Sequence, residues 1–175
     1  MSYMEIALLP KNGIKIKNKQ ATIAIDPQDK TFYEAVLLLS KSAEEVNLQE
    51  DSVLISAVGE YEIGGIKMTG TRSEVGMLYT LNVDGIDILV GKLDSLDKMQ
   101  HKLKEHKIVM VDCETVGSAS FITSLAENVV IFYGEKAGEI SASFGKENVK
   151  SMNKYSVTKD KLPTEVETIL LATSN

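Results

Sequence analysis

LYTLNVDGIDILVGKLDSL, residues 78 to 96, is the stretch whose reading decides the fold. Two apolar runs, MLYTLNV (77–83) and IDILVGK (86–92), are separated only by Asp84 and Gly85. Asp-Gly between such runs reads as a hairpin turn, because both residues reach positive φ at low cost. The period then changes. DSLDKMQHKLKEH (94–106) sets Leu96, Met99 and Leu103 on one helical face. Asp94 is placed to cap that helix and Asp97 lies in its first turn. Lys102, Lys104 and His106 fall near its end, as the helix dipole prefers.

Working outward from this junction, the N-terminal side reads as strands. MEIALLP (4–10), GIKIKN (13–18) and ATIAIDP (21–27) form a small meander. Ile14 and Ile16 alternate with Lys15 and Lys17, and Ile23 and Ile25 repeat the period of two. NKQ (18–20) is the turn between the last two, and Pro27 stops the third. FYEAVLLLS (32–40) and DSVLISAV (51–58) read as buried strands, and GGIKMTGT (64–71) follows a Gly-Gly turn. On the C-terminal side, KIVMVD, NVVIFYG and EVETILLAT read as buried strands and SASFITSLAEN as a helix. Alternation of strand and helix builds a covered sheet. The expectation is an α/β (α+β) chain with two packed sheets and helices outside, forming a single domain over residues 1–175.

Composition narrows function by exclusion. The chain has 175 residues, 43% hydrophobic and 25% charged, as in an ordinary globular protein. A net charge of −6 argues against a general binder of nucleic acid or of anionic membranes. The longest apolar run, AVLLL (35–39), is far too short to span a membrane, and the N-terminal stretch lacks the pattern of a signal peptide. The single cysteine, Cys113, allows no internal disulfide and suits a reducing, cytoplasmic setting.

Motifs that carry chemistry are scarce. VGEYEIGG lacks the lysine and the strand-to-helix context of a phosphate loop, and no Gly-x-Ser-x-Gly elbow occurs. His101 and His106, the two histidines, would lie about 140° apart on a helix and share no face. They read as surface side chains. Cys113 reads as a small buried or half-buried thiol. Asp26, before Pro27, reads as a turn residue at a strand end. Glu44, Glu45, Glu60, Glu62 and Asp94 are the carboxylates that could hold a hard cation, with Glu60 and Glu62 alternating along one extended face.

TIAIDP (22–27), GEYEIGGIKMTG (59–70) and residues 78–96, followed by KIVMVD and NVVIFYG, together resemble the metallo-β-lactamase superfamily. More narrowly, they are similar to its small metal-dependent hydrolase branch, near the ascorbate-phosphate lactonases. The resemblance covers most of the chain, which is shorter than is usual for that family. It implies a four-layer αββα sandwich of two mixed sheets with helices outside, and homo-oligomers in the lactonase-like branch.

The family's His-x-His-x-Asp-His signature, which binds one or two metal ions, would fall on the loop SKSAEEV after AVLLL. Aligned on Ser40, its positions hold Lys41, Ala43, Glu45 and Val46. The family's further Asp becomes Lys92, its final His falls near Gly134, and an early Gly-His pair aligns with Pro10 and Lys11. A protonated lysine is a poor metal ligand and repels a dication. The expectation is therefore a former metal pocket, with Lys11, Lys41, Glu45, Glu60, Lys92, Asp94 and Tyr133 around it, no metal or other cofactor, and no catalytic residue assigned. One of the lysines would balance leftover carboxylates, pairing with Glu45 or Asp94. Three readings follow: a degenerate member with a binding or assembly role, forming homo-oligomers; a hydrolase with a rearranged, metal-independent site; or a small-anion binder in the former cleft. Neither nucleic acid nor membrane is an expected partner.

Overall fold

The alternating N-terminal runs form a meander in the computed structural model, which describes residues 3 to 173. The two residues at each end of the expected 1–175 domain lie outside the described residues. Strands β1 (Met4–Leu8), β2 (Ile14–Lys17) and β3 (Thr22–Ile25) pair antiparallel in turn. Asn18 makes the second turn, its Oδ1 accepting the N–H groups of Gln20 and Ala21, both at 2.8 Å. β4 (Ala35–Leu37) and β5 (Val53–Ile55) add to β3 in parallel, and β13 (Lys154–Val157) pairs antiparallel with β1. This first, six-stranded sheet runs β13-β1-β2-β3-β4-β5.

The second sheet has eight strands. Its antiparallel part comprises β6 (Gly59–Ile63), β7 (Ile66–Ser73), β8 (Gly76–Val83) and β9 (Ile86–Lys92). The Asp84-Gly85 turn joins β8 to β9 with φ of 52° and 84°, as its residue types require. From β9 onward the sheet is parallel: β10 (His106–Asp112), β11 (Ala126–Tyr133), β14 (Glu167–Leu171) and β12 (Val149–Met152). The order is β12-β14-β11-β10-β9-β8-β7-β6. At each side of the sandwich the chain itself crosses between sheets, through residues 56–58 from β5 to β6 and through Asn153 from β12 to β13.

Alternate side chains of both sheets meet in one apolar cluster, including Ile6, Ile16, Ile23, Leu37, Ile88, Val90, Met110 and Ile131. The outer face of the second sheet is covered by α1 (Leu93–Met99), α2 (Ala137–Gly145) and the segment around Ile122. Phe144 of α2 meets Phe132 of β11 edge-on, with centroids 5.3 Å apart. Loops carrying Tyr33, Leu38 and Val46 cover the outer face of the first. The two mixed sheets of the expected α+β sandwich are present, with sparse helical layers. Among the described residues no helix is long and apolar enough to cross a membrane.

Local differences have local causes. The helix expected over 94–106 is α1, which begins at Leu93, so that Asp94 falls inside its first turn instead of capping it. Lys92 holds the N-cap position without a capping hydrogen bond, and a 3-10 turn at Gln100–Lys102 follows. It stops because His106 N–H must reach the Leu125 carbonyl (2.8 Å) to start β10. SASFITSLAEN forms only a 3-10 turn, Ser120–Ser124, where serine hydroxyls bond nearby backbone and the rest joins β11. FYEAVLLLS contributes three strand residues, because the Leu39 N–H turns away to bond the Asp26 side chain.

Candidate functional site

The parallel ends of β9, β10 and β11 place three polar residues in one row. Asp112 is in register with Lys92 on one side and Tyr133 on the other. Two residues earlier on each strand stand Val90, Met110 and Ile131, all within the apolar cluster between the sheets. A period of two therefore points Lys92, Asp112 and Tyr133 toward the same inner face. From the facing sheet comes Asp26, just beyond β3. It has φ of 47°, a conformation that Asp tolerates, and is 5% exposed. Its N–H donates to the Leu37 carbonyl at 3.0 Å, and its Oδ1 accepts the Leu39 N–H at 3.3 Å.

The electrostatics of this row follow from its burial. Loss of water pushes the Asp26 carboxyl up to about 6, against the pull of the Leu39 N–H and of Lys41. Asp112, partly buried, is pushed up to about 7 by the same cause, and the negative charges of Glu114 and Asp26 add to it. Lys92 Nζ donates to Glu114 Oε2 at 2.8 Å, with the Lys92 side chain only 15% exposed. Burial pulls the Lys92 ammonium down, yet Glu114, Asp94 and Asp112 together hold it above its ordinary value. The hydrogen bond from Lys92 holds the Glu114 carboxyl low. Tyr133 is 1% exposed and its hydroxyl has no hydrogen-bond partner. Burial, and then the neighbouring Asp112, push that phenol well above its usual range.

The residues expected around the pocket divide into two groups. Lys92 and Tyr133 stand in the row. Lys41, partly buried on the loop after β4, lies close enough to act on Asp26, Asp112 and Glu114, but forms no ion pair among the described residues. Asp94 lies in the first turn of α1, where it accepts the Ser95 N–H at 3.0 Å. Glu45 is exposed and closes a capping box, accepting the Ser42 N–H and hydroxyl, both at 3.1 Å. Lys11 is exposed on the turn Pro10–Asn12. Glu60 is exposed on β6, with β7 and β8 between it and β9. Lys92 does pair with a carboxylate, but the partner is Glu114 and not the expected Glu45 or Asp94.

Asp112 and Glu114 were missed in the sequence, and Asp26 was read only as a turn residue. The available signal was positional: Asp26 ends TIAIDP and Asp112 ends KIVMVD, at the carboxyl ends of strands where open α/β sheets place their crevices. Cys113 is fully buried, and burial pushes its thiol up to about 12, so it is inert as a nucleophile. His101 is exposed in the turn after α1, and His106 opens β10, at the opposite end of that strand from Asp112.

A metal ion of the kind the resemblance implies does not fit these residues. Zinc sites of that family rest on imidazoles, with carboxylates only completing the set, and here the imidazoles are elsewhere and the thiol is protonated. A lysine ammonium stands within the row, ion-paired. Gly134, aligned with the family's final His, has φ of 104°, and a Cβ there would lie 3.0 Å from Asp112 Oδ1. Among the described residues no three His, Cys, Asp or Glu side chains are grouped so as to hold a metal ion.

The comparisons agree with the architecture. The chain superposes on a protein from Thermotoga maritima assigned as a Zn-dependent hydrolase of the metallo-β-lactamase superfamily, with TM-score 0.72 and 16% identity, over 95% of this chain and 98% of that one. It also matches the metallo-β-lactamase fold protein YhfI from Bacillus subtilis, with TM-score 0.60 and 6% identity over 95% and 96% of the two chains. A third match is Igni18, a metallo hydrolase from Ignicoccus hospitalis, with TM-score 0.57 and 11% identity over 98% and 97%. No protein-family model and no curated protein matches the chain. The fold is that of the metallo-β-lactamases, and identities this low speak for the fold alone.

Proposed function

We propose that this chain is a non-catalytic protein of the metallo-β-lactamase fold, serving a binding or assembly role in the cytoplasm as a homo-oligomer. The observation that carries the reading is the Lys92–Glu114 ion pair, 2.8 Å long, built into the row of strand ends that faces Asp26. A site kept for a dication would not hold an ammonium there. The retained fold beside a replaced donor set is what selection for folding without selection for metal leaves. The test is metal content by elemental mass spectrometry, on untagged protein purified without chelators. Zinc, manganese, iron and nickel together should come to less than about a tenth of an equivalent; near-stoichiometric metal overturns the reading.

A metal-independent hydrolase is the second reading, favoured by one observation. Asp112 has its carboxyl pushed up to about 7, close to the range of a general base, and stands in register with Tyr133. Turnover of ester or phosphoester substrates that Asp112→Asn abolishes in a folded protein would establish it. Anion binding in the former cleft loses Lys92 to Glu114 and is left with Lys41.

A further inference from the structure

The acidic groups of the row are not balanced among themselves. The carboxyls of Asp26, Asp112 and Glu114 lie near enough for Glu114 and Asp26 to act on Asp112, against the ion-paired ammonium of Lys92 and the charge of Lys41. A second observation, independent of the carboxyls, marks the same place as a polar site with an unmet partner. Tyr133 is 1% exposed, its hydroxyl oxygen has no hydrogen-bond partner, and its register with Asp112 aims it at the same inner face. A buried hydroxyl without a partner is uncommon and calls for an explanation. Carboxyl and phenol oxygens are hard donors, better suited to a cation such as Mn²⁺ or Mg²⁺ than to zinc, which favours imidazole and thiolate.

We infer that Lys92 is a tethered counter-cation: its ammonium takes the place of a free divalent ion among Asp26, Asp112, Glu114 and Tyr133, and its presence keeps such an ion out. This rests on the metal-free reading above and adds the residue responsible. The Lys92 stem leaves β9 in register with Asp112, so the charge arrives fixed to the strand and needs no ligand from solution. The natural set is not a metal site, because no three His, Cys, Asp or Glu side chains are grouped for coordination among the described residues. A carboxylate at position 92 would at once remove the repelling charge and supply a fourth carboxyl group.

The experiment compares the natural chain with Lys92→Asp, using Mn²⁺ as the probe and reading bound metal by electron paramagnetic resonance alongside thermal melting. The natural chain is expected to leave millimolar Mn²⁺ free and its melting temperature unmoved. Lys92→Asp is expected to take up about one equivalent and to gain on the order of 5 °C. A folded Lys92→Asp that leaves Mn²⁺ free overturns the counter-cation assignment and leaves the metal-free reading standing. Uptake by the natural chain overturns both. If Lys92→Asp does not fold, Lys92→Ala decides the matter. Millimolar propylammonium, which replaces the missing stem and ammonium, should raise the melting temperature of Lys92→Ala and not that of the natural chain. No rise with propylammonium overturns the assignment.

Discussion

Two layers of the same strands, one period apart, behave in opposite ways. Val90, Met110 and Ile131 lie in the apolar cluster between the sheets, each fully buried. Two residues further along each strand, Lys92, Asp112 and Tyr133 keep the same orientation and carry two charges and an unpartnered hydroxyl. Burial stabilises the first layer and strains the second. The inner layer is what any sandwich needs to fold. Burying such groups costs stability, so packing alone does not account for the polar layer.

That contrast is broken most directly from the inner side. Ile131→Ala removes buried methylene groups from a close-packed layer and should destabilise the chain by about 3 kcal/mol in urea or thermal unfolding. A cost below about 1 kcal/mol would mean that the layers are not distinguished as described.

On the polar side the sign reverses. Asp112 has a folded-state carboxyl at about 7, above its ordinary value of 3.8. The folded chain therefore holds a proton that the unfolded chain has lost between those pH values, and stability falls as pH rises through that window. Asp26, at about 6, adds to the fall over the lower part of it. Asp112→Asn removes the larger contribution. It should stabilise the protein by about 2 kcal/mol at pH 8 and by close to nothing at pH 4, so unfolding curves at the two pH values test it. Equal effects at both would show that burial of the carboxyl is not what raises it.

Lys92→Met works against the same charges. It retains most of the stem volume and removes the ammonium that balances Glu114 and Asp112. Because Glu114 is 44% exposed, water replaces part of the lost pairing. The expected cost is about 1–2 kcal/mol at pH 8, shrinking toward pH 5 as Asp112 and Asp26 take up protons. A cost that grows toward low pH would place the balancing charge elsewhere.

How much of this was legible in the sequence depends on what each residue answers to. Period-two alternation in GIKIK and ATIAI, and the Asp84-Gly85 turn, report local backbone preferences, and the corresponding strands appear where they were read. α2 was not read because Gly138, Ser141, Ser143 and Gly145 are weak helix formers. It forms through Ile140 and Phe144 packing on the second sheet, a tertiary effect. β12 is short and has no buried face, and β13 buries only Tyr155 and Val157 in alternation, a period of two too short to announce a strand. Lys92 and Tyr133 were legible through the family alignment. The partnership of Lys92 with Glu114 was not, because 22 positions separate them and only the parallel register of β9 and β10 brings their strand ends together.

The smallest expected effect is the most discriminating. Tyr133 presents a buried hydroxyl that donates to nothing, and a donor in that state carries a desolvation cost with no return. Tyr133→Phe deletes the oxygen and leaves the ring in its apolar surroundings of Ile131 and Met110. If the hydroxyl is a leftover of an emptied polar site, the substitution should be neutral or stabilising by up to about 1 kcal/mol, with the same value at pH 5 and pH 8. A loss of more than about 1 kcal/mol would mean that the hydroxyl is bonded in solution, through water or an ion held by Asp112. A loss confined to pH 8 would point to the ionised Asp112 carboxylate as the acceptor. The polar layer would then be a working network and no longer a strained remnant, and the contrast between the two layers would have to be redrawn around it.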